Sequence, residues 1–167
     1  MRLKYDVADA ITCSKPPMNI DFSCLDYAFL VKPLLVGGKA MEYYQLRNAG
    51  ADIDFIVHEQ DYGRLAEQYP THIKERFGNF GVCVAGFEFW KSLVLFGYDF
   101  LSAGAIEGEN FRVISLEKLL FLATLAITKE KHEQDVRLLV SKIHDIQYGR
   151  DQDYDTSHFV PIQRHEP

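Results

Sequence analysis

The sequence predicts one mixed α/β domain, a mixed sheet with flanking helices, and three observations predict it. First, Leu34, Leu35 and Val36 form a short apolar run that ends in Gly37-Gly38. Second, after a short helical stretch, Asp52 and Asp54 alternate with Ile53 and Phe55, which on a strand puts both carboxylates on one face and the apolar pair on the other. Third, residues 81–101 are rich in β-branched and aromatic residues punctuated by glycine, which reads as two or three strands paired antiparallel. The chain has 167 residues, of which 47% are hydrophobic, enough for one real core. Residues 1–148 are assigned to it, with a core at 21–101 and a helical part at 113–148.

Taken in order, residues 21–31 read as a helix capped by Asp21, with Phe22, Leu25, Phe29 and Leu30 as its apolar stripe. Pro33 leads into the first strand. Gly37-Gly38 lets the backbone turn sharply and approach a ligand. A helix over 39–47 follows, with Ala40, Met41, Tyr44 and Tyr43 inward, and its N–H groups would face an anion at that turn. Strand 52–57 comes next, then a polar turn and surface helix within 58–78, ended by Pro70. Ser115 caps a core helix carrying Leu116, Leu119, Leu120, Leu122 and Leu125. In KEKHEQD, Lys131 and Asp135 stand one turn apart on one helix face. Residues 149–167 are polar and aperiodic and read as a tail.

Composition narrows the function. The net charge of −6 argues against broad, sequence-independent nucleic-acid binding, which depends on Lys and Arg neutralising phosphates. No apolar stretch reaches the roughly 18–20 residues of a membrane span, and MRLKYDVADAITC has too many charges for a secretion signal, so a cytoplasmic protein is expected. Cys13, Cys24 and Cys83 follow no metal-ligand spacing and read as reduced thiols packed as small hydrophobes. His58, His72, His132 and His144 form no ligand pattern and read as surface residues. Asp151, Asp153 and Asp155 begin like a calcium loop, but Thr156 and Ile162 stand where Gly and Glu are needed.

Asp52 and Asp54 have Cα atoms about 6–7 Å apart on a strand, which suits carboxylates sharing hard cations about 3.5–4 Å apart. Gly37-Gly38, a short helix and D-x-D on a strand resemble the nucleotidyltransferase fold of the DNA polymerase β superfamily. More narrowly, Gly37, Gly38, Ala40, Tyr44, Arg47, Asp52, Ile53 and Asp54 stand in a phrase resembling that of small bacterial nucleotidyltransferases related to type IV abortive-infection toxins, and residues 113–140 have the rhythm of a second shared segment. The resemblance implies transfer of a nucleoside monophosphate from an NTP to a hydroxyl acceptor, RNA or protein, by two Mg²⁺ or Mn²⁺ ions. It implies Asp52 and Asp54 as metal ligands and a third acid from a neighbouring strand, Glu88 or its competitor Asp99. It maps phosphate contacts onto Gly37, Gly38, Arg47 and Lys131, with Asp135 supporting Lys131; Lys39, which matches the family phrase less well, flanks the turn as a further point charge for phosphate. Ala123 or Thr124 stands where the family often has a further lysine, and His132 where it has an aspartate. The alternative is a binding module of the same fold that has lost turnover.

Overall fold

The computed structural model describes residues 18–76, 78–126 and 130–148, and the apolar residues of segment 34–57 lie at its centre. Leu34 and Leu35 form β1, and both are fully buried. Val36 leads directly into helix α1, Gly37–Tyr43, which buries Ala40 and Met41. Strand β2, Ile53–Ile56, pairs antiparallel with β1. Helix α2, Glu59–Gln68, is capped by the His58 side chain, and a 3-10 turn, Pro70–His72, follows it. Strands β3 (Ile73–Arg76), β4 (Asn79–Val84) and β5 (Phe87–Trp90) form an antiparallel meander. A small separate hairpin, β6 (Ser92–Leu93) and β7 (Phe96–Gly97), precedes the short helix α3, Tyr98–Ser102. Strands β8 (Ile106–Glu107) and β9 (Arg112–Val113) return to the main sheet, and helices α4 (Leu116–Leu125) and α5 (Glu130–Tyr148) pack against each other.

The main sheet runs β3-β4-β5-β2-β1-β9-β8. The β2–β5 and β1–β9 pairs are parallel and the others antiparallel, so the expected mixed sheet with flanking helices is present. The β2–β5 register sets Asp54 beside Glu88 and Phe55 beside Phe89. Because strand side chains alternate, one face of this ladder presents aromatics and the other presents acids. On the aromatic face the Phe55 and Phe89 rings stack at 5.9 Å, and Phe22, Phe29 and Phe111 close over Phe55 and Phe89. Met41, Leu119 and Leu139 are buried on α1, α4 and α5. No described helix is long and apolar enough to cross a membrane.

Several local expectations need correction. Residues 21–31 form turns, with no helix. Asp21 accepts from the Ser23 N–H at 2.8 Å and its hydroxyl at 2.7 Å, closing a local turn in place of a helix cap. At the other end, buried Asp61 on α2 accepts from the N–H of Leu30 at 2.9 Å and of Val31 at 3.0 Å. Tyr27 donates its hydroxyl to the same carboxylate at 2.7 Å. Those partners satisfy the backbone without a helical ladder, so Phe22 and Phe29 reach the sheet while Leu30 stays half exposed. Helix α1 begins at Gly37, two residues early, and stops before Gln45, whose φ of +59° turns the chain out of it. Residues 73–76 form an exposed edge strand where only a surface helix and turn were expected, and the 104–113 loop holds β8 and β9. Cys24 is exposed, unlike a packed thiol, while Cys83 is half-buried. Cys13 and the 149–167 tail lie outside the described residues.

Candidate active site

Gly37 has φ +62°, and a Cβ added there would sit 2.6 Å from Asp54 Oδ2. Both the backbone conformation and the space therefore require glycine. The Val36 N–H donates to the Asp54 carbonyl at 3.0 Å, which locks the turn onto β2. The Asp54 carboxylate thus opens directly on the glycine turn. A Cβ on Gly38 would lie 3.7 Å from Arg47 Nη1, so the second glycine faces the guanidinium that residue 47 was expected to bring.

Asp54 and Glu88 are ladder neighbours whose carboxyl groups influence each other's protonation. Trp90 donates its indole N–H to Asp54 Oδ1 at 3.4 Å, and Arg76 Nη2 lies 2.9 Å from Glu88 Oε1. Glu88 is only 5% exposed, because β5 is an inner strand between β4 and β2 and not an edge. Asp99, the competing acid, is exposed in the first turn of α3 and absent from the cleft wall. Asp52 is exposed just before β2 and also stands off the wall, though its charge reaches both Asp54 and Glu88.

Burial pushes the Asp54 carboxyl above the usual carboxylate range, against the indole and Glu88 hydrogen bonds and Arg76, which pull it down. Burial also pushes Glu88 up, helped by the Asp54 charge and opposed by Arg76. Acids raised by folding bind more protons in the native state than in the unfolded chain, so their contribution to stability falls as pH rises from the ordinary values through the raised ones. In metal-free buffer, wild-type Tm is expected to fall relative to an Asp54→Asn, Glu88→Gln double variant as pH climbs from 4 to 8. A Tm difference constant across that range would show that the pair is not the source.

The acids line one end of a cleft of about 450 Å³. Arg47, Lys131, His132 and Asp135 line it too, and Leu93, Leu119 and Leu122 give it an apolar wall. Asp135 is buried and takes Arg47 bidentately, at 2.5 Å to Nε and 2.9 Å to Nη2. The expected support of Lys131 by Asp135 is therefore corrected: the carboxylate serves Arg47, 88 positions away, and Lys131 is exposed on the cleft wall. A fork matches a carboxylate better than an ammonium does. Lys39 instead pairs with Glu42 one turn along α1 and lies off the wall. His132 is not a plain surface residue, since its Nδ1 lies 3.7 Å from Asp135 Oδ2.

Among the described residues, no three His, Cys, Asp or Glu side chains form a ready-made metal-holding group. Asp54 and Glu88 nevertheless fit a hard cation, being adjacent, desolvated oxygen donors, and Mg²⁺ is commonly held by one or two carboxylates together with substrate phosphates. Arg76 and Trp90 are the site residues that sequence reasoning missed. Arg76 had no local signal, since Ile73-Lys74-Glu75-Arg76 shows no apolar alternation; Trp90 had one in sharing the Glu88 parity. Comparison with known proteins finds no matching family model, curated protein or solved structure.

Proposed function

We propose that the protein is a nucleotidyltransferase of the polymerase β type, moving a nucleoside monophosphate from an NTP to a hydroxyl acceptor. The observation that supports it is the Gly37 turn seated against the Asp54 carboxylate, beside Glu88, at the charged end of a cleft. Asp54 and Glu88 would hold Mg²⁺ or Mn²⁺, with Asp52 the third carboxylate from just off the wall. When bound, the metal stabilises charge on the phosphoryl oxygens. The chain supplies the rest. Gly37 removes the Cβ that would keep a phosphate from Asp54, and Gly38 leaves room beside Arg47. Lys131 offers an exposed ammonium to the pyrophosphate, and Asp135 fixes the Arg47 fork. Glu88, the ladder neighbour of Asp54, would take the acceptor's hydroxyl proton. An RNA or protein acceptor, a cytoplasmic location and a toxin-like role follow from the resemblance alone.

A second reading, a binding module without turnover, is favoured by one observation: the Arg76 guanidinium already sits on Glu88, where a cation would bind. An NTP with Mg²⁺ is expected to raise Tm under either reading, and much less in EDTA. Transfer of label from α-³²P NTPs to an RNA, protein or small-molecule fraction of cell extract separates the two. Labelling of any fraction supports the enzyme; binding without labelling supports the module.

A further inference from the structure

The cleft contains more fixed charge than free charge. Arg47 is held by Asp135 through both arms of its fork. Asp54 and Glu88 are neighbours across the β2–β5 ladder, and Arg76 supplies the guanidinium that pairs with Glu88. Arg76 differs from Arg47 in its setting. It ends β3, an edge strand whose four residues are all exposed, and its side chain is 44% exposed while that of Glu88 is 7% exposed. The β3–β4 and β4–β5 registers set Arg76 opposite Asn79 and Glu88 opposite Cys83, positions of one parity, so Arg76 leans over the acid face from the sheet's rim. Its side chain therefore reaches the cleft from solvent, on a long and rotatable stem.

We propose that Arg76 is an anion-binding residue of this cleft that exchanges partners, holding Glu88 while the carboxylates lack a cation and turning to the phosphates of the ligand when a divalent cation takes them. The argument is one of charge. A divalent cation at Asp54 and Glu88 replaces what Arg76 does for Glu88, and the freed guanidinium then has its fork beside a cleft that must accept a polyanion. Arg47 cannot serve in the same way without stranding buried Asp135. Arg76 and the metal thus compete in the empty cleft and cooperate in the filled one. The inference rests on the proposed reading of Asp54 and Glu88 as the cation site.

That reversal of sign is the test. Binding of Mn²⁺ alone and of inorganic tripolyphosphate in the presence of Mg²⁺ is measured by calorimetry for wild type, Arg76→Gln and Arg76→Lys, with folding checked by circular dichroism. Arg76→Gln is expected to bind Mn²⁺ about fivefold or more tighter, since a competing charge-assisted hydrogen bond is gone. The same variant should bind tripolyphosphate about tenfold more weakly. Arg76→Lys, which keeps charge without the fork, should fall between the two for both ligands. A variant that weakens binding of both ligands, or changes neither, makes Arg76 a structural partner of Glu88 and overturns the proposal. Wild type that binds no Mn²⁺ at all, with Asp54→Asn behaving the same, overturns the cation site itself and the proposal with it. Tighter Mn²⁺ binding by Arg76→Gln with unaltered tripolyphosphate affinity also overturns the proposal, leaving Arg76 only a competitor of the cation.

Discussion

Asp54→Asn is expected to reduce transfer of label from an α-³²P NTP by about a thousandfold or more, a loss of roughly 4 kcal/mol in transition-state stabilisation. The same substitution should leave Tm unchanged or raised in metal-free buffer at pH 8, because the amide keeps the indole partner while removing one of the like charges gathered with Glu88 and Asp52. The Mg²⁺-dependent part of NTP stabilisation should disappear with it. The combination matters, since a merely structural carboxylate would lose stability and a merely catalytic one would keep the metal effect. Transfer that survives Asp54→Asn would end the proposed mechanism. Asp52→Asn is the companion measurement: Asp52 is exposed and off the cleft wall, so full activity in that variant would reduce the proposed metal set to Asp54 and Glu88.

The largest effect on stability is expected at Asp61, which is fully buried on α2 and accepts from Tyr27, Leu30 and Val31. Asp61→Ala would leave two backbone N–H groups and a hydroxyl without their acceptor in a half-buried place. A cost of about 3 to 5 kcal/mol follows from the unpaired donors together, a large share of the 5 to 15 kcal/mol typical of a domain. Urea unfolding followed by circular dichroism measures it as a shift in midpoint at constant m-value. Asp61→Asn, which retains one acceptor oxygen, should lose less. A loss under about 1 kcal/mol for the alanine variant, the range of an ordinary surface substitution, would mean that segment 27–31 is held by its aromatics and not by this carboxylate.

The same residues show where the sequence was readable. Leu34 to Val36, the glycine pair and the place of Asp54 between Ile53 and Phe55 were legible because each is set within a few positions: an apolar run is buried, glycine permits φ +62°, and a two-residue period turns Asp54 away from Phe55, whereas Asp52 stands exposed just before the strand and does not join it on the cleft wall. Ser115 capping Lys118 N–H was legible for the same reason. Segment 21–31 was not, because its apolar spacing satisfies a helix while the acceptor that captures its N–H groups lies some thirty positions away at Asp61. Strand β3 escaped because an exposed edge strand needs no apolar alternation, and Arg76 went with it. The choice of Glu88 over Asp99 needed the β2–β5 register, and the bond between Arg47 and Asp135 needed contact across 88 positions. Local periodicity identifies elements; it does not say which distant carboxylate claims which guanidinium.

The alternation along β2 and β5 has a consequence for how this protein can change. Phe55 and Phe89 stack on one side of the ladder while Asp54 and Glu88 meet on the other, one position away in each strand. A slip of one residue would carry Glu88 into the aromatic core and a phenylalanine into the cleft, so the penalty for a misplaced acid is the penalty for misfolding. The acids inherit their placement from hydrophobic packing and need no scaffold of their own. Much of the remaining cleft lining comes instead from α4, α5 and the small β6–β7 hairpin, where Val94 is 56% exposed. Under the proposed function, substitutions in those peripheral elements would alter which acceptor fits while leaving Asp54 and Glu88 where the ladder puts them.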